Sequence, residues 1–143
     1  MRILHTSDWH IGKRLMGRER LDEQSDFLDE IVRICDGEGV ELVLVAGDIF
    51  DTYMPSAEAE DLFFSKIKAM AGADRAVLLI SGNHDSAERL ASCAGLLDKA
   101  GLYLQGAAQR EPRVVEFADS QVFFLPWMTE EKIKSLYPEA RDG

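Results

Sequence analysis

Positive charge is scarce in this chain: 26 acidic side chains face 16 lysines and arginines across 143 residues, a net charge of −10. Phosphate backbones are held by cations, so nucleic acid could be bound only through a local basic patch and not through overall charge. Cysteine is nearly missing, with Cys35 and Cys93 alone. Both fall in stretches of helical pattern. That fits small buried hydrophobes with reduced thiols better than a disulfide framework, and it implies a cytoplasmic setting. No repeat, low-complexity tract or long linker divides the chain, and its length predicts one domain. No apolar run approaches the roughly 20 residues that span a bilayer. The opening Met1-Arg2-Ile3-Leu4-His5 has no signal-peptide pattern. Histidine is sparse as well: His5, His10 and His84 are the three, and none follows.

What is present is a hydrophobic fraction of 46%, enough for a globular core. Residues 2–6 read as a short strand. Residues 18–37 repeat Leu21, Leu28, Ile31, Val32 and Cys35 at helical steps, and Gly37 and Gly39 end that helix. The apolar run at 41–46 predicts a strand covered on both faces. Ser56 is a candidate N-cap for a helix to about Met70, with Leu62, Phe63, Ile67 and Met70 as its stripe. A strand at 76–80, a helix at 87–99 with Gly101 at its end, and a short strand at 102–104 continue the alternation. Residues 114–117 and 121–125 read as a hairpin, and 129–136 as a last helix. Strands alternating with helices predict an α/β fold: a mainly parallel sheet flanked by helices, with right-handed crossovers.

Three polar clusters follow three successive strands: Asp8-Trp9-His10, Gly47-Asp48-Ile49-Phe50-Asp51 and Gly82-Asn83-His84-Asp85. In a parallel sheet these loops leave the same carboxyl edge, where α/β proteins place their sites. They bring together carboxylates, imidazoles and one amide oxygen, without a thiolate. That donor set suits a hard or borderline divalent ion such as Mn²⁺. Asp8 and His10, two apart, point to one side if the strand persists. Asp48 has two oxygens with which to bridge two cations, and Gly47 and Gly82 let the backbone turn sharply. Each cluster alone reads equally well as an ordinary turn. Their order and their placement after three strands carry the weight.

The three motifs in this order resemble the calcineurin-like metallophosphoesterases. The stretches MRILHTSDWHIGK, AGDIFDTYMPS and SGNHD, with Phe124-Leu125-Pro126-Trp127, are similar to the SbcD/Mre11 group of nuclease subunits. The resemblance implies a two-metal phosphodiesterase using Mn²⁺. Asp8 and His10 would bind one ion, Asp48 would bridge, and Asn83 would bind the second. His84 would assist phosphoryl transfer, with Asp51 as the side chain that partners it. It further implies DNA ends or hairpins as substrate, an SbcC/Rad50-type ATPase as partner, and a homodimer built by the helices after the second and third motifs, to which Phe63-Phe64 could contribute. The family pattern also continues with downstream histidines that this chain lacks. The expectation is therefore the N-terminal part of a partial metallophosphoesterase sandwich, with little or no activity alone and with a sheet face left open for self-association. The alternatives are a related phosphoesterase acting on nucleotides or phosphoproteins, and a non-catalytic interaction module.

The remaining residues have plainer readings. His5, inside the first strand, is expected to be packed, and Trp9 to pack around the site. Asp85 is expected to cap the following helix or to stand behind the ligands. Residues 12–19 have Walker-like glycine spacing but lack the Lys-Ser/Thr end, which rejects a P-loop. Lys13, Arg14, Arg18 and Arg20 cluster after the first motif, a candidate DNA-phosphate contact. The acidic residues of the two first helices read as solvated faces.

Overall fold

The computed structural model describes residues 1–71, 75–98 and 101–139, except for the side chain of Leu96. Strands β1 (Ile3–Thr6), β2 (Leu42–Ala46), β3 (Ala76–Ile80) and β4 (Leu102–Gln105) form one parallel sheet in the order β1-β2-β3-β4. Thr6 stands opposite Val45, Ala46 opposite Ile80, and Ile80 opposite Gln105. The carboxyl ends are thus nearly level, and the loops that leave them begin side by side.

Helices α1 (Leu21–Gly37), α2 (Ala57–Ala71) and α3 (Ala87–Leu97) make the crossovers. Right-handed connections between adjacent parallel strands put every helix on one face of the sheet. One core accordingly joins Leu28, Ile31 and Cys35 of α1, Phe63, Ile67 and Met70 of α2, and Leu90 of α3 to Val43, Val45, Val77 and Leu79 of the sheet. Phe63 is fully buried, edge-on to Phe50 and Phe64 at 5.2 and 5.0 Å between ring centres. Truncating such a ring to alanine costs about 3–5 kcal/mol. Of the Phe63-Phe64 pair, only Phe64 keeps surface to offer a partner.

The alternate residues of the strands point to the opposite face. There Leu42 and Leu78 are covered by Phe124 and by the partly buried Val115, Phe117 and Val122. These come from the antiparallel hairpin of β5 (Val114–Glu116) and β6 (Gln121–Phe123) and from the residues just beyond it. The hairpin covers this face only in part. His5, expected to be packed, is exposed there, beside a hollow it shares with Leu44, Ile80 and Phe124. The last helix, α4 (Glu130–Leu136), starts at Thr129, whose hydroxyl accepts the Lys132 N–H at 3.1 Å. Among the described residues no helix is long and apolar enough to cross a membrane.

The expected strands agree with the structure to within one or two residues. Helix α1 begins at Leu21 rather than at residue 18 because the chain first makes a tight turn. Leu15 and Arg18 exchange backbone hydrogen bonds of 3.0 and 2.9 Å, with Met16 and Gly17 at φ 50° and 76°. Successive left-handed residues make a hairpin turn and prevent a helix from starting there. Ser56 caps α2 as expected, accepting the Ala59 N–H at 3.2 Å. At α3 the cap is Ser86, which accepts the Arg89 N–H at 3.4 Å, and not Asp85. The expected last residue of that helix, Lys99, lies outside the described residues.

Candidate metal centre

Past the sheet edge the three motif turns are stitched together through their backbones. Asp8 N–H donates to the Gly47 carbonyl at 3.1 Å, His10 N–H to Asp48 at 3.0 Å, and Ile11 N–H to Ile49 at 2.9 Å. Asp51 N–H returns to the Ile11 carbonyl at 3.2 Å. The third turn is fastened by Asp85, a carboxylate only 3% exposed. Its Oδ2 accepts Ile49 N–H at 3.1 Å and Gly82 N–H at 2.8 Å, and its Oδ1 accepts Phe50 N–H at 2.8 Å. A buried carboxylate with three backbone donors is satisfied and rigid. Sequence reasoning offered Asp85 as a helix cap or as an acid behind the ligands, and did not foresee that it joins two turns. The signal was Asp85's place at the end of the Gly-Asn-His-Asp motif, but a helix cap explained it as well.

Two glycines permit the approach. A Cβ on Gly47 would stand 2.8 Å from Gly82 Cα. One on Gly82 would stand 2.8 Å from Asp48 Cγ and fall closer still to that residue's Oδ1 and backbone nitrogen. No side chain fits between these turns.

The result is a cluster in which one ligand atom each from Asp8, His10 and Asp48 lies within 4.8 Å of the others. His10 Nε2 is 3.9 Å from both Asp8 Oδ1 and Asp48 Oδ2. The alternation argument for Asp8 and His10 does not apply, because β1 has ended at Thr6. Backbone curvature brings them together instead. Asp8, His10 and Asp48 sit at φ 57°, 46° and 51°, three of the four non-glycine left-handed residues among those described. Such conformations cost of order 1–3 kcal/mol each and persist only where the surroundings enforce them, often at functional sites. Asp8 Oδ2 accepts the Ser7 hydroxyl. Asp8 is exposed, while the Asp48 and His10 side chains are only 14% and 19% exposed.

The neighbours complete the picture. His84 N–H donates to Asp48 Oδ1 at 3.0 Å, and its ring stands edge-on to His10 at 4.9 Å. The resemblance implied that the Asp51 side chain would partner His84. The structure differs: Asp51 Oδ1 lies 3.2 Å from His10 Nδ1, close but not aligned as a hydrogen bond. What His84 Nδ1 meets, at 3.4 Å, is the Asp51 backbone carbonyl. Asp51 thus stands on the Nδ1 side of the His10 ring, away from the Nε2 that faces Asp8 and Asp48. Asn83 is exposed on the third turn, its backbone carbonyl accepting the Tyr53 hydroxyl at 3.0 Å. Trp9 is buried against the turns as expected, donating to Thr6 Oγ1 at 2.9 Å. Two carboxylates and one imidazole converging at this spacing fit a hard or borderline divalent cation.

The basic cluster is less free than its sequence implies. Lys13 lies 3.8 Å from Asp51, and Arg14 lies 3.6 Å from Glu19. Arg20 Nε donates to Glu23 at 2.7 Å. Among the described residues Arg18 is exposed and has no ion-pair partner. Three of the four cations therefore face an acid already, and Lys13 alone leans toward the cluster.

Comparison with known proteins agrees with this geometry. The family model for calcineurin-like phosphoesterases matches residues 1–141. The SbcD subunit of the SbcCD nuclease of Bacillus subtilis (strain 168) is 44% identical over 117 residues, 81% of this chain and 30% of the relative. The corresponding SbcCD nuclease subunits from Rhodobacter capsulatus and Staphylococcus epidermidis are 37% and 31% identical, over 100% and 97% of this chain and 39% and 37% of theirs. The chain spans about a third of the length of these relatives. A family match over residues 1–141, laid over two polar turns that meet in one cluster and a third that donates to it, leads to one conclusion: the chain belongs to the calcineurin-like phosphoesterase family.

Proposed function

We propose that this chain carries the N-terminal part of a metal-dependent DNA phosphodiesterase that acts on DNA ends or hairpins beside an SbcC-type ATPase partner. The observation that carries the reading is the convergence of Asp8, His10 and Asp48 from two stitched turns, with His84 of the third turn donating to Asp48. The names of the relatives support a nuclease as the whole protein. Asp8, His10 and Asp48 would hold Mn²⁺, with the exposed Asn83 available as a neutral oxygen donor. When bound, such ions acidify a water and clamp a phosphate.

The chain's own residues do the rest. Asp48 is held by the His84 N–H, so its other oxygen is free to face the site. Asp51 faces the Nδ1 edge of the His10 ring from the far side. His84, exposed beside both, is the residue placed to meet a substrate oxygen and donate a proton to it. Lys13 and Arg18 offer the local positive charge that the net charge denies. Homodimerisation through α2 and α3 belongs to the same reading, with Phe64 as a contact.

The near imidazoles are His10 and His84 alone, with His5 in the exposed strand and no histidine later. A second cation at full affinity lacks ligands here, so turnover by this chain alone is expected to be small. Calorimetric titration with Mn²⁺ tests the reading. Saturable binding that is lost in Asp48→Asn supports it, and no binding by the unsubstituted chain refutes it. Fast, Asp48-dependent cleavage of a DNA end would uphold the phosphodiesterase and overturn the expectation of weak activity.

A further inference from the structure

Against the same 81–85 turn that holds Asp48 lies a cavity of about 260 Å³, with Tyr53, Gly82, Trp127, Met128 and Lys132 in its wall. It falls below the several hundred Å³ typical of pockets for drug-sized ligands and suits one flat ring system. The two aromatic residues are half open, Tyr53 58% and Trp127 48% exposed. Neither stacks on another aromatic ring among the described residues. Both are tied to the turn: Tyr53 through its hydroxyl to the Asn83 carbonyl at 3.0 Å, Trp127 through its backbone N–H to the Ser81 carbonyl at 3.1 Å.

Charge in the cavity is simple. Lys132 has no ion-pair partner among the described residues, so its ammonium is available to an anion. Of the two carboxylates in the wall, Asp85 is taken up by three backbone N–H groups, and Glu88 is exposed. Half-open aromatic faces with a cation beside them are the chemistry that takes up a nucleobase and its phosphate.

We propose that this cavity receives the base of the nucleotide whose phosphate lies at the Asp8–His10–Asp48 cluster. The proposal rests on the phosphodiesterase reading above. The turn is the shared wall: Gly82 packs on Asp48, and the same residue borders the cavity. A base stacked here would fix which phosphate reaches the ligands. Tyr53 and Trp127 then act by stacking, which tolerates any base sequence.

The test uses this chain with Mn²⁺, titrated separately with deoxyadenosine 5′-monophosphate and with 2-deoxyribose 5-phosphate. The nucleotide should quench tryptophan emission saturably, and the sugar phosphate should not. Trp127→Phe should abolish the quench, because Trp9 is buried. Tyr53→Ala should weaken nucleotide binding about tenfold, a typical loss for one base–aromatic contact. Tyr53→Phe, which keeps the ring but loses its bond to the Asn83 carbonyl, should keep most of the parent's affinity. Equal affinity for the two probes, or equal loss in the two Tyr53 variants, overturns the base pocket. If Mn²⁺ and sugar phosphate still bind, the phosphodiesterase reading survives that failure. If neither binds, both fall.

Discussion

Two polar regions leave the first strands of this protein, and they are built in opposite ways. The motif turns at 8–11, 47–51 and 81–85 lock one another through backbone hydrogen bonds, a buried Asp85 and two glycines that leave no room for a Cβ. Three of their side chains are held on left-handed backbone. The loop at 12–20 has a left-handed turn as well, at Met16-Gly17, but Met16 there is 96% exposed and Gly17 has open space around it. Arg14 and Arg20 pair with nearby glutamates rather than with a common target, and Arg18 has no ion-pair partner among the described residues. A preorganised site and a solvated loop can thus carry equally loud sequence signals. What separates them is whether neighbouring turns leave a residue any other conformation.

The contrast can be broken at the locked end first. Gly82→Ala should destabilise the fold by roughly 3 kcal/mol or more in urea unfolding and remove Mn²⁺ binding, because the added methyl meets backbone as well as carboxylate. Gly17→Asn, at a turn position with nothing within 4 Å, should cost only a few tenths of a kcal/mol. Next comes Asp85→Ala, which strands the N–H groups of Ile49, Phe50 and Gly82. A loss of about 3 kcal/mol is expected, with faster amide exchange at those three positions. Asp48→Asn keeps the left-handed backbone, so stability should change by under about 1 kcal/mol while Mn²⁺ affinity falls at least tenfold by calorimetry. Arg18→Glu, in the open loop, should leave folding unchanged within about 0.5 kcal/mol and weaken DNA binding a few-fold at low salt. Smallest in effect is the thiol contrast: Cys35 is fully buried and burial pushes its thiol up, so at neutral pH it stays protonated. A thiol reagent should therefore modify the partly open Cys93 first, as counted by mass spectrometry.

Much of the fold was legible because its signals are local. Leu-Val-Leu-Val at 42–45 has two apolar faces, one buried under the helices and the other covered in part by the hairpin, which leaves Leu44 half-buried. Ser56 announced its helix from the position just before it, as N-caps do. The start of α1 was not legible, since Met at a left-handed turn position carries no propensity warning. The exposure of His5 was not legible either, because it depends on how far the hairpin reaches across the sheet. For the candidate site, residue type and order picked out Asp8, His10 and Asp48, which the structure brings together. The partner of Asp51 was not legible: a side chain's neighbour is set by the packing of turns distant in sequence, and Asp51 points at His10.

By itself the sequence determined the alternation of strands and helices, the parallel sheet, and which three polar turns follow its strands, because periodicity and residue chemistry are properties of short stretches. Tertiary structure alone decided that Asp85 holds those turns together, that Asp8, His10 and Asp48 meet on left-handed backbone, and that a small cavity with two open aromatic residues borders the same turn. Each of these depends on a distance between residues far apart in the chain. Such distances are set only when the sheet aligns its strand ends and glycine lets the turns close.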